Sequence, residues 1–281
     1  MSLCSQKFNF WTNISGANRS NTKIMNISNY SIKLKSTRKN DPLLPKSICG
    51  LIIGKSNCGK SMLLMNLLLK PWLDYSNLLV FGNSLHQMEY QILKDGFNKG
   101  LSKKQIANIF ENQDKIPDNK TPLDIINEYS GPKNDITASF YDDCNLIPDP
   151  SSLDPEIKHL LILDDCFLGP QSKAESYYTR GRHNNCDTIY ISQNYFRLPR
   201  GTIRENANLL MIFNQDSRNI NYIHQDHACD LSLEEFKDLC QKIWIRKYDF
   251  LTIDLTSDIL NGKYRRNLGT FYFPLSLTRS Y

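Results

Sequence analysis

The 281-residue chain has no apolar run approaching the roughly 18 residues needed to cross a bilayer. Its start, MSLCSQKFNF, lacks the basic-then-apolar layout of a secretory leader. A soluble, intracellular protein with no membrane partner is therefore expected. Its eight cysteines are scattered singly without a CxxC pair, so free thiols in a reducing compartment are expected and disulfides are not. There is no NKxD run of the kind that reads a guanine base, and no internal repeat. With 40% hydrophobic and 22% charged residues, the composition is that of a folding chain and not a disordered one. Its length suits one substantial domain with appendages.

Charge is present but unevenly placed. Up to Lys46 eight basic residues face one acid, Asp41, leaving 26 basic and 28 acidic residues for the remainder. An Asn- and Ser-rich basic arm over residues 1–45 follows. Such an arm suits contact with nucleic acid or an acidic partner, and equally a solvated tail without one.

Beyond Pro45 the pattern turns apolar. Ser47 to Ile53 forms a short, partly β-branched run ending in a glycine-rich turn, which predicts a buried strand. Lys60 to Leu69 is made of helix formers, apolar nearly all round and stopped by Pro71, which predicts a helix packed on a sheet. Further strand patterns lie at Asn77 to Gly82, His159 to Leu163, Thr188 to Ser192 and Leu209 to Phe213. Two helices, broken at Gly96 and Gly100, are expected within Leu85 to Asn112. Loops around one or two short elements are expected from Pro117 to Pro155. A helix over Leu231 to Ile243 behind an Asp230 cap should precede late strands at Phe250 to Leu255 and Thr270 to Phe273. Strands separated by helix-length segments predict an α/β class with a mostly parallel sheet flanked by helices.

The turn after the first strand is Gly54, Lys55, Ser56, Asn57, Cys58, Gly59, Lys60, Ser61, a GxxxxGK[ST] pattern with a strand before it and a helix after it. Glycines let the backbone curl so that successive N–H groups point at phosphates, and the helix N-terminus adds its dipole. These eight residues are the expected phosphate cradle for ATP, with Lys60 reaching the β- and γ-phosphates and Ser61 ligating Mg²⁺. Hydrolysis also needs carboxylates. Asp164 and Asp165 stand at the end of a buried strand, where Asp164 suits the magnesium shell and Asp165 the base for water. An Asp pair capping the next turn is the plainer alternative. Gln193, at the next strand's end, is placed to sense the γ-phosphate, or is simply a polar strand end. Cys58, near a helix N-terminus, is expected to have a lowered thiol pKa. His224, His227 and Cys229 fall short of a zinc-site pattern.

Three blocks, GKSNCGKS, LLILDDCF and GRHNNCDTIYISQNYFRLPRGTIRENANLLMIF, resemble the genome-packaging ATPases of large DNA viruses, virophages and Polinton-type elements, the poxvirus packaging ATPase among them, within the FtsK–HerA superfamily. The NSLHQMEYQILKDG stretch is similar to the same group, and the likeness spans roughly residues 45 to 255. The resemblance implies a RecA-like P-loop NTPase core over 46–215 and leaves 216–281 as a C-terminal α+β extension. It implies ATP hydrolysis with Mg²⁺, a homo-oligomeric ring (pentamer or hexamer), and translocation of double-stranded DNA into a capsid through its packaging vertex. The implied place is the host cytoplasm, a viral factory or the virion. In such rings a neighbour's arginine completes the site. Arg182 is the first choice for that catalytic role, with Arg180 and Arg200 as competitors. The chain departs from many superfamily members in having Asp165 where they carry Glu, a form that occurs in the packaging branch. Arg197, Arg200, Arg204, Lys263, Arg265 and Arg266 are candidate DNA contacts, solvated charge being the alternative for each. Rival functions are a cellular HerA-like or conjugative DNA pump and a nucleotide-dependent scaffold or switch that moves no DNA.

Overall fold

The computed structural model describes residues 39–113, 116, 120–169 and 171–272. Most of the basic arm, 1–38, lies outside them, as does Phe273, the last residue of the late strand expected at Thr270 to Phe273. Alternating side chains of the central strands feed two separate cores, as the period of two in a strand requires. Ile52, Val80, Ile162, Ile191 and Met211 face one layer of helices. Leu51, Ile53, Phe81, Leu163, Tyr190 and Ile212 face the other. Both faces are covered, so the strands are apolar throughout.

The elements in chain order are β1 (Cys49–Ile53), α1 (Lys60–Leu69), β2 (Asn77–Gly82), α2 (Met88–Lys99), α3 (Lys103–Glu111), α4 (Pro122–Asn127), β3 (Thr137–Tyr141), β4 (His159–Asp164), α5 (Gln171–Arg180), β5 (Cys186–Ser192), β6 (Leu209–Ile212), α6 (Ser217–His227), α7 (Leu233–Ile243), β7 (Leu251–Asp254), β8 (Tyr264–Arg266) and β9 (Thr270–Phe271). Among the described residues they make one nine-stranded sheet in the order β3-β2-β4-β5-β1-β6-β7-β8-β9. The six strands from β3 to β6 run parallel. β7, β8 and β9 continue the sheet antiparallel.

Three local expectations are corrected. Gly96 does not break α2: a Cβ there would lie 2.8 Å from Ile106 Cγ1, so the glycine lets α3 approach closely while the helix continues. The α7 cap is Ser232, in a capping box with Glu235, and not Asp230. Asp230 instead accepts hydrogen bonds from Lys263 Nζ and Tyr264 Oη, both at 2.6 Å. Nor are all thiols free. Cys144 and Cys166, 22 residues apart, form a disulfide, because the turn leaving β4 packs against the turn that follows β3.

Candidate active site

β1 is flanked by β5 on one side and β6 on the other. The chain leaves β1 for strands on one side and later returns to the opposite side. The crevice at the carboxyl ends of the strands therefore opens above β1, where such sheets bind ligands. A cavity of about 610 Å³ lies there.

Residues 54–59 connect β1 to α1 at the edge of this cavity. Asn57 and Gly59 adopt left-handed backbone, at φ 60° and 108°, which turns the loop tightly from strand to helix. Gly54 is sterically required as well, since a Cβ would run into Cys58 Sγ and lie 2.9 Å from Phe213 Cβ. Lys60 Nζ donates to the carbonyls of Gly54 (2.7 Å) and Lys55 (2.8 Å), which holds the ammonium curled over the loop. Ser56, Asn57, Gly59, Lys60 and Ser61 line the cavity. Cys58 is half-buried behind the loop. Burial pushes its thiol up, and the nearby Lys60 charge only partly offsets this. The expected lowering is thus corrected: desolvation outweighs the helix terminus.

β4 and β5 deliver the opposing groups. Asp164 ends β4, beside Gly82 of β2, where a Cβ would stand 2.9 Å from the Asp164 carbonyl oxygen. Burial raises the Asp164 carboxyl pKa and the adjacent Asp165 charge adds to this, while the Tyr90 hydrogen bond and Lys60 oppose it. Tyr90 Oη, from α2, donates to Asp164 Oδ2 at 2.6 Å. Asp165 sits in left-handed backbone at φ 53°, uncommon for a residue with a side chain. That conformation is fixed by its N–H to the Ile191 carbonyl (3.0 Å) and by Asn83 Nδ2 donating to its carbonyl (3.1 Å). Gln193 joins the two halves: its Nε2 donates to Asp165 Oδ2 at 3.3 Å, and its Oε1 accepts from Ser56 Oγ at 3.1 Å.

The fold is that of a RecA-like P-loop NTPase. A strand, β5, stands between the phosphate-loop strand and the acid-bearing strand, and its end carries Gln193. No protein-family model matches the sequence, and no curated protein sequence does. Among solved structures the chain is similar to the genome packaging NTPase B204 from Sulfolobus turreted icosahedral virus 2 in complex with AMP, at 13% identity over 79% of this chain and 96% of that chain, with a TM-score of 0.46. It is also similar to VirB4 of Thermoanaerobacter pseudethanolicus, at 14% identity over 74% and 87% of the two chains and a TM-score of 0.41. These likenesses are distant, and the reading of this P-loop site rests on its own geometry.

That geometry brings Lys60, Ser61, Asp164, Asp165 and Gln193 round one cavity. Arg182 is elsewhere. It is exposed in the turn before β5, close enough to Cys49 at the start of β1 to influence its thiol, and so at the opposite end of the sheet from the phosphate loop. Arg180 pairs with Asp149 at 3.2 Å. Four of the candidate DNA contacts are engaged within the fold. Arg204 and Arg265 are buried and paired with Asp226 (3.2 Å) and Asp254 (3.3 Å), while Lys263 pairs with Asp230 and Arg266 with Asp249. Arg200 is exposed beside Glu205 and Asp226, and Arg197 is exposed. Sequence reasoning missed Tyr90, Asn83, Lys247 and Tyr248. Tyr90 had one signal, a hydroxyl on the otherwise apolar buried face of α2, which must find a partner there. Nothing local marks the other three.

Proposed function

We propose that this chain is an ATPase that translocates double-stranded DNA, packaging a viral or transposon-like genome into a capsid. The observation that carries the ATPase reading is the line of hydrogen bonds from Ser56 through Gln193 to Asp165, at the rim of the cavity that Lys60, Ser61 and Asp164 also line. A phosphate sensor, a metal carboxylate and a base stand together there.

In this reading residues 54–61 bind the triphosphate through backbone N–H groups, and Lys60 leaves the Gly54 and Lys55 carbonyls to meet the β- and γ-phosphates. The donor set suits Mg²⁺. Ser61 lines the cavity, and Asp164 has one carboxylate oxygen engaged by Tyr90, leaving the other for the metal. Bound Mg²⁺ supplies neutralisation of the phosphate oxygens. Asp165 orients the attacking water and accepts its proton. Gln193 exchanges its Ser56 contact for the γ-phosphate and so couples nucleotide state to the position of Asp165. Arg182 lies too far round the sheet to serve its own phosphate loop. As an exposed arginine it completes a neighbour's site in a pentameric or hexameric ring, at the capsid's packaging vertex in the host cytoplasm or viral factory.

The DNA-moving part rests on the packaging-ATPase resemblance of the three sequence blocks. Within it, 46–215 is the motor core, 216–281 an extension, and 1–45 a basic arm that joins Arg197 in contacting phosphates. ATP turnover with and without linear double-stranded DNA tests this. A motor is stimulated by DNA; unchanged turnover would leave an ATP-dependent scaffold or switch. Deleting residues 1–40 should lower the salt slope of DNA affinity, and an unchanged slope removes the arm from the contact.

A further inference from the structure

The acids and Gln193 fill one side of the cavity, above β4 and β5. The other side, above β6 and β7, is closed by the connection between α7 and β7, residues 244–250, and two of its residues, Lys247 and Tyr248, line the cavity. The connection is tied down at both ends. Trp244 Nε1 donates to the Ile212 carbonyl at 2.9 Å, and Phe250 packs on Phe213 with ring centroids 5.3 Å apart. Asp249 is clamped by the Arg266 guanidinium and by Asn267 Nδ2 at 2.9 Å. Between these anchors Tyr248 takes φ 74°, a conformation that costs a bulky side chain on the order of 1–3 kcal/mol and persists only where the surroundings over-determine it. That backbone puts the ring over the phosphate loop: a Cβ on Gly59 would lie 3.2 Å from Tyr248 Cδ1. Tyr248 nonetheless stays 56% exposed. Lys247 Nζ stands 4.7 Å from its centroid, a cation on a π-face that another π-system can displace.

We infer that Tyr248 is the platform for the base of the bound nucleotide. The inference rests on the ATPase reading and extends it. With the γ-phosphate end fixed by Asp165 and Gln193, the phosphate chain running along Gly59 to Lys60 leads its nucleoside toward the β6–β7 side. There the aromatic face at the rim of the phosphate loop is Tyr248. A purine base stacks on it, taking the place of the Lys247 ammonium. Stacking discriminates little between bases, because every base has a π-face. The site should therefore accept GTP nearly as well as ATP while preferring either to a bare triphosphate.

The test uses the full chain with Mg²⁺, comparing wild type, Tyr248→Ala and Tyr248→Trp for affinity toward ATP, GTP and inorganic tripolyphosphate. Removing a stacked aromatic should weaken ATP and GTP about tenfold, leave tripolyphosphate unchanged, and be reversed by tryptophan. Unchanged tripolyphosphate binding also shows that the variant is folded. Equal ATP affinity in wild type and Tyr248→Ala, or a parallel loss of ATP and tripolyphosphate, overturns the inference while leaving the ATPase reading intact. A wild-type chain that binds neither ATP nor tripolyphosphate ends both.

Discussion

The two sides of the cavity are built on different principles. On the acid side, strand ends place Asp164, Asp165 and Gln193, and hydrogen bonds from Tyr90, Asn83 and Ser56 fix them. On the other side a connecting segment holds Tyr248 by its anchors, against the preference of its own backbone. In the proposed reading the first arrangement positions charge and protons and serves turnover. In the same reading the second presents a surface and serves affinity. Mutations should separate the two.

The largest expected effect lies outside the cavity of the isolated subunit. If Arg182 serves a neighbour, Arg182→Ala should lower turnover of the assembled protein by about 10³-fold or more, and leave the basal rate of dilute single subunits unchanged. Equal loss in both states would show that the arginine supports its own subunit. Next, Asp165→Asn should keep ATP affinity and cut kcat by about 10²- to 10⁴-fold. A variant turning over near the wild-type rate takes Asp165 out of the base role. A smaller loss, about tenfold, is expected of Tyr90→Phe, which deletes one hydrogen bond to a carboxylate. It should appear as a higher Mg²⁺ requirement at constant affinity for magnesium-free nucleotide, and lost thermal stability with an unshifted Mg²⁺ dependence would make Tyr90 purely structural. The smallest effect concerns Cys58, shared by both sides. Because burial raises its pKa above the usual thiol value of 9.0, the reactive thiolate is scarce at pH 7 and grows as pH climbs through and beyond 9. Loss of ATP binding on alkylation should therefore be slow at neutral pH and accelerate in alkali, whereas rapid loss at pH 7 would restore an activated thiol.

Legibility in the sequence followed how local each constraint is. β2 and α1 stand at the bounds their apolar runs predict, Asn77–Gly82 and Lys60–Leu69, because β2 is buried on both faces and α1 buries six of its ten residues, which keeps both runs mostly apolar. β3 was missed as a member of the sheet. It is an edge strand of exposed and half-buried residues, TASFY, so burial left no period to see. Gly96 gave a helix-breaking signal that tertiary packing against Ile106 overrode. Buried arginines were misread for a related reason: Arg204 and Arg265 are identical in sequence to solvated ones until Asp226 and Asp254 are brought beside them.

What the sequence determined by itself was the place of the glycine-rich turn, residues 54–61, and of the acid pair. That turn is eight consecutive residues whose glycines, lysine and serine lie together between β1 and the start of α1, and Asp164 and Asp165 are fixed by ending an apolar strand. Only the tertiary structure decided what meets them. Ser56 and Gln193 are 137 residues apart, Tyr90 and Asp164 are 74 apart, and Tyr248 arrives on a segment with no motif of its own. Parallel strand order sets these meetings, through hydrogen bonds between strands distant along the chain, and no local pattern encodes which strand will lie beside which.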